Sequence, residues 1–242
     1  DVLSAFSTKF DEKDALLLLK RLCLGLRNAW EINGITHVAL APSNISVRIS
    51  ELDPLISGIG ISKFLLGEKN LIDSGFNVWD QRYAAPELFK NGYSDTPHAD
   101  IYSLGRVLYT LLAGDFAPPL FDDNSELVDT TGKMIATLSE IRPAISERTI
   151  FLVNSLCMQD LGKRIASYDE LLVKIEESIQ EANVERKVVQ RRKINVWGKF
   201  RVAGDVAKTP KIKNGLVAGV SQQKKKLYVT TQQKTIDIRN ER

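Results

Sequence analysis

The stretch from His98 through Gly105, continued by Val107, Leu108, Leu111 and Leu112 to Gly114, constrains the fold more than any other. Its apolar side chains cover more than one face of a helix, so a helix here has to be enclosed by other elements. Gly114 and then Pro118-Pro119 supply the stop. A second helix is legible in Leu16, Leu19, Leu22, Leu26 and Trp30, spaced at three and four residues with Lys20, Arg21, Arg27 and Asn28 between them. That spacing predicts an amphipathic helix from about Asp14 to Ile32, ended by Gly34, with the polar stretch Asp1 to Lys13 as a leading loop or the remnant of a preceding helix.

Between the two helices, Ile45 to Ile49 alternates apolar and polar residues and reads as a short strand. Asp53-Pro54 reads as a turn, and Leu55-Ile56 as the start of a second strand that ends at Gly58-Ile59-Gly60. Later in the chain, Ser125 is a candidate cap for an irregular helix ending before Pro143. Phe151, Leu152, Leu156 and Cys157 form another apolar stripe. Ser167 with Glu170 forms a capping box for a last helix that turns Leu171, Leu172 and Ile175 inward.

Helix, loop, hairpin and x-x-Gly, in that order, resemble the large lobe of protein kinases. The loop His37-Val-Ala-Leu-Ala-Pro-Ser-Asn44 resembles H-R-D-L-K-P-S-N, matching at His37, Leu40, Pro42, Ser43 and Asn44. Tyr83-Ala-Ala-Pro-Glu87 resembles the A-P-E signature, and Asp100, thirteen residues on, opens a run similar to S-D-V-W-S-L-G. Asp160-Leu-Gly-Lys-Arg164 resembles D-P-x-K-R-P, with Leu161 and Ile165 in place of the prolines. The resemblance covers roughly residues 12–180 and implies a mainly α fold with a short β-hairpin beside the catalytic-loop position. Nothing before the first helix resembles a glycine-rich phosphate loop or a Val-Ala-Ile-Lys strand, so the small lobe is expected to be absent from this chain, which reads as a piece of a longer protein.

The resemblance also implies roles. In the family the loop Asp accepts the substrate proton, the loop Lys touches the transferring phosphate, and the loop Asn with the D-F-G Asp holds magnesium. Here Ala39, Ala41 and Gly58 stand at the base, phosphate and principal metal positions. Only Asn44 keeps a candidate metal-facing group, and the alternative for its amide is to close the loop as a turn residue. The expectation is therefore a catalytically inactive kinase-like domain, not an enzyme, with no cofactor, serving as an interaction or regulatory scaffold. A divergent ATP-binding phosphotransferase is the alternative if an upstream small lobe exists. Structural roles are implied for His37 and Asp100, which shape the loop, and for Glu87 and Arg164, which form a buried ion pair.

Composition divides the chain. Residues 185–242 carry 16 Lys and Arg against 4 Asp and Glu, a net of +12, leaving 17 against 26, a net of −9, for residues 1–184. This predicts a lobe over residues 1–183 and a basic linker or tail over 184–242, with Leu227–Thr231 and Thr235–Ile238 as a possible hairpin opening another domain. The clusters between residues 186 and 226, with Trp197, Phe200 and Tyr228 nearby, are candidates for contact with nucleic acid or an anionic membrane. The bland alternative is a solvated linker, and the partner a protein or a further domain of the same chain. No apolar run approaches the length of a membrane span. Cys23 and Cys157 sit in apolar patterns and read as buried free thiols of a reducing, cytoplasmic compartment. His37 and His98 are too few and too remote from the cysteines for a zinc site. Ser62, Ser74 and Tyr83 are hydroxyls in the activation-segment region, with nothing beyond position to mark them for phosphorylation.

Overall fold

A computed structural model of the chain describes residues 10–38, 40–48, 50–60, 80–89 and 96–183. Within them α1 spans Glu12–Asn33, two residues longer at its start than the apolar spacing marks, because Glu12 has a partner of its own. Its carboxylate accepts from the Ser146 hydroxyl at 2.6 Å and the Ser146 N–H at 3.1 Å. Ser146 in turn caps α4 (Glu147–Leu156) by accepting from the Thr149 N–H, so one long-range contact fixes the starts of two helices. Gly34 adopts φ 58° and ψ 37°, and its N–H returns to the Ala29 and Trp30 carbonyls. A glycine there closes the helix without the Cβ clash other residues meet in the left-handed region.

The strands β1 (Ile45–Arg48) and β2 (Asp53–Ile56) form an antiparallel ribbon in which Ile45 faces Ile56 and Val47 faces Pro54. Asp53-Pro54 therefore lies in a strand, and the turn falls at Ser50–Leu52, with Leu52 at φ 50°. Proline is admissible because in a two-stranded ribbon every strand is an edge. Ile49 lies outside the described residues.

The next helix, α2 (Pro97–Ala113), is the centre of the lobe: every residue from Ala99 to Ala113 is buried. α1 and α4 both pack on it, while α3 (Thr131–Ile141) meets both α2 and α4. The approach of α4 depends on Gly105: a Cβ there would stand 2.5 Å from Leu156 Cβ and 2.8 Å from Cys157 Sγ. Arg106 is buried on the same helix, its guanidinium donating to Thr130 Oγ1 at 2.9 Å, to Tyr102 Oη at 3.4 Å and to the Pro118 carbonyl. It ties α2 to the segment leading into α3.

Two expectations fail here. Ser125 caps no helix: it sits in a turn at φ 61°, its N–H bonded to the Asp122 carbonyl, and α3 begins six residues later. Phe151 points to solvent with 61% exposure while Leu152, Leu156 and Cys157 are buried. It lies one residue off the α4 face that meets α2.

A last helix, α5, is described over residues 168–183, with Tyr168, Leu171, Ile175, Ile179 and Ala182 buried. The Ser167 hydroxyl accepts from the Glu170 N–H at 3.2 Å, and the Glu170 carboxylate accepts from the Ala166 N–H at 3.2 Å, one residue earlier than in a standard box. Both cysteines are buried and free. The tail over 184–242, its possible hairpin and its basic clusters lie outside the described residues. No helix among the described residues is long and apolar enough to cross a membrane.

Candidate functional site

The loop after α1 hangs on one carboxylate. Asp100, fully buried in the first turn of α2, accepts from the His37 N–H at 2.8 Å, the Val38 N–H at 2.7 Å and the Tyr168 hydroxyl at 2.8 Å. Burial pushes its carboxyl above the ordinary carboxylate range, and the donors from His37, Tyr168 and Val38 pull it back. Val38 is held at φ 67°, a conformation that a β-branched residue reaches only under constraint. His37 Nε2 donates to the Ser57 carbonyl at 2.9 Å, tying the loop to the residue before Gly58.

Past this anchor, Ala41 is buried, and its N–H donates to Asn44 Oδ1 at 2.8 Å while the Asn44 N–H returns to the Ala41 carbonyl at 3.1 Å. Asn44 thus closes the short 3-10 turn Pro42–Asn44, and its own carbonyl accepts from the Ser57 N–H at 2.9 Å. Gly58 and Gly60 adopt φ 85° and 91°, a region that favours glycine. Ala39 lies outside the described residues.

These groups offer a magnesium ion no carboxylate. The Asn44 oxygen is a neutral amide that already accepts from the Ala41 N–H, Gly58 has no side chain, and a hard cation prefers carboxylate oxygens. Among the described residues no cluster of three or more His, Cys, Asp or Glu is placed to hold a metal.

A second cluster forms at the start of α2. Arg164, its side chain wholly buried, makes a bidentate pair with Glu87 at 2.5 and 3.0 Å. It also donates to the Met158 carbonyl at 2.7 Å and the His98 carbonyl at 3.0 Å, and its guanidinium lies 4.9 Å from the Tyr102 ring centroid. Tyr83 is buried, its hydroxyl 2.8 Å from Thr110 Oγ1 and its carbonyl accepting from Ser103 Oγ at 2.8 Å. Such a tyrosine is not exposed for modification; Ser62 and Ser74 lie outside the described residues.

Sequence reasoning missed Tyr168 and Ser57. The one available signal for Tyr168 was an aromatic hydroxyl at the head of a capped helix; for Ser57, whose contribution is a backbone carbonyl, there was none.

With this geometry in view, comparison with known proteins is informative. The family model "protein kinase domain" matches residues 1–175. Calcium-dependent protein kinase 2 of Oryza sativa subsp. japonica is 31% identical over 170 residues, and calcium-dependent protein kinase 11 of Arabidopsis thaliana 29% over 167 residues. Each alignment covers 67% of this chain, which spans 31% and 32% of the length of those two relatives. Among solved structures, the PknI kinase domain of Mycobacterium tuberculosis superposes with a TM-score of 0.54 at 21% identity, over 74% of this chain and 62% of that one.

These matches correct the expectation that the chain is not an enzyme. Its relatives are protein kinases by name, and nothing among the described residues shows activity to be lost. Ala39, Ala41 and Gly58 do not settle the chemistry, because phosphoryl transfer rests largely on positioning and charge stabilisation, and a general base contributes about 10²- to 10⁴-fold of the rate. The loop anchored by Asp100, the Glu87–Arg164 pair and the family match over residues 1–175 lead to one conclusion: the chain belongs to the protein kinase domain family.

Proposed function

We propose that this chain is the large lobe of a divergent protein kinase and also serves as an interaction and regulatory module of a longer protein. It would orient an acceptor protein beside a nucleotide held elsewhere in that protein. The observation that carries this reading is the grip of Asp100 on the His37 and Val38 amides, at 2.8 and 2.7 Å, which keeps the loop in a defined shape although its side chains are small.

On this reading the contribution of the described residues is orientation. The loop backbone is fixed at Asp100, at Ser57 and by the Asn44–Ala41 contact, and ordering reactants before reaction removes an entropic part of the barrier. Charged groups facing the phosphates then come from outside the described residues. The acidic body, net −9, supports contact with a basic acceptor or partner protein, and the two buried free thiols support a reducing, cytoplasmic setting.

A thermal-shift titration of the full-length protein with ATP, with and without magnesium, tests the reading. A ligand that binds only the native state raises its midpoint. The expected result is a rise with ATP to which magnesium adds little, because Gly58 brings the metal no carboxylate and Asn44 only a neutral amide. No rise at saturating ATP would overturn the reading.

A further inference from the structure

We propose that Tyr168 is a positioning residue for the loop over residues 37–44: its hydroxyl, donated to buried Asp100, keeps that carboxylate gripping the His37 and Val38 amides and so couples the last helix to the loop. This rests on the reading that the loop faces the reacting groups.

The geometry makes Tyr168 more than a core side chain. Of the three donors that meet Asp100, two are amides of the loop itself and the third comes from α5, well over a hundred residues later in the chain. A buried carboxylate without enough donors binds a proton. A proton on Asp100 makes one of its oxygens a hydroxyl, a weaker acceptor, and one of the two loop amide bonds is weakened. Val38 is the first residue to respond, because at φ 67° its backbone is strained and is kept there by the Asp100 bond. Its release would turn the chain that leads to Ala41 and Asn44.

Tyr168 is itself held firmly. It is the first residue of α5, directly after the Ser167 cap, and is 2% exposed. The Cys23 thiol points at its carbonyl at 3.7 Å, and α5 is pinned to α1 by Lys20–Glu176 at 2.6 Å and Arg27–Asp169 at 3.0 Å. Those ion pairs are exposed and individually weak, so α5 is a docked element whose registration on α1 sets where the Tyr168 hydroxyl lies. The Tyr168 hydroxyl is the group of α5 that meets Asp100 and, through it, the loop.

The test uses the full-length protein and two variants. Tyr168→Phe removes only the hydroxyl. Leu171→Ala removes a buried side chain from the same helix without removing a donor to Asp100. Amide hydrogen exchange is read at His37 and Val38 and, as reference, at Leu104 and Leu108 of α2. Expected is a selective acceleration at His37 and Val38 in Tyr168→Phe, on the order of tenfold to a hundredfold for the loss of one hydrogen bond to a charged group, with no such selectivity in Leu171→Ala. An NMR titration of the Asp100 carboxyl should move to higher pH in Tyr168→Phe. A common factor at all four amides, no change at His37 and Val38, the same pattern in Leu171→Ala, or an unmoved titration would each overturn the inference. None of these readouts needs a substrate. A full-length protein that binds no ATP would thus contradict the functional reading and leave the coupling standing, while a uniform exchange response would do the reverse.

Discussion

The Val38 nitrogen lies 2.7 Å from Asp100 Oδ1, and that bond secures a β-branched residue at φ 67° near the start of the loop His37 to Asn44. Removing the carboxylate leaves the His37 and Val38 amides buried without an acceptor and the Tyr168 hydroxyl without its carboxylate partner. Each unpaired buried donor costs about 1–3 kcal/mol, so Asp100→Ala is expected to lose about 3–5 kcal/mol in denaturant unfolding. A loss below about 1 kcal/mol would mean that the loop is held by other contacts.

Arg164→Ala is expected to cost about 3–5 kcal/mol, because Glu87 would be left charged and nearly buried. The Met158 and His98 carbonyls lose a donor as well. An unfolding midpoint equal to wild type would contradict this. Arg148, with its exposed partners Glu177 and Glu181, is the contrasting case: Arg148→Ala should move the midpoint little.

Gly105→Ala sets two effects against each other. Alanine gains up to about 1 kcal/mol in helix propensity over glycine. The new Cβ, however, would meet Leu156 Cβ at 2.5 Å and Cys157 Sγ at 2.8 Å, and overpacking of this kind costs about 1–3 kcal/mol. Net destabilisation is expected in thermal unfolding; a variant more stable than wild type would show that α4 can move away freely.

Neither thiol should react in the folded protein. Burial pushes Cys23 and Cys157 up to about 12, so at pH 8 both remain protonated as well as enclosed. Labelling with an aromatic disulfide reagent should be slow until denaturant is added and should then reach two thiols per chain. Rapid labelling under native conditions would contradict the enclosed positions of both residues.

How much could be read in advance follows from the range of each interaction. The helices α1, α2 and α5 were legible because their apolar spacing, glycine stops and the Ser167 cap are local. The pairing of Glu87 with Arg164 and the role of Asp100 came from motif resemblance, since no local pattern joins residues so far apart. Ser125 misled because serine serves turns as readily as helix caps, and only the approach of the chain at Asp122 decides between them. Pro54 misled because its reading as a turn ignored the edge of a two-stranded ribbon. Tyr168, Ser146 with Glu12, and Arg106 with Thr130 escaped notice because each pair meets only after the helices have packed. The inference from three small side chains to an inactive protein failed for another reason: motif residues report which groups a loop carries, whereas activity also depends on groups placed from elsewhere.

The most direct measurement is transfer of labelled phosphate from ATP to protein by the full-length chain, compared with its Ala39→Asp variant. If Asp100 keeps the loop in working shape and only the side chains differ, slow transfer is expected in the wild type, rising by about 10²- to 10⁴-fold when a carboxylate is returned to the base position. Absence of transfer by both proteins would contradict the proposal that this lobe orients an acceptor for phosphoryl transfer.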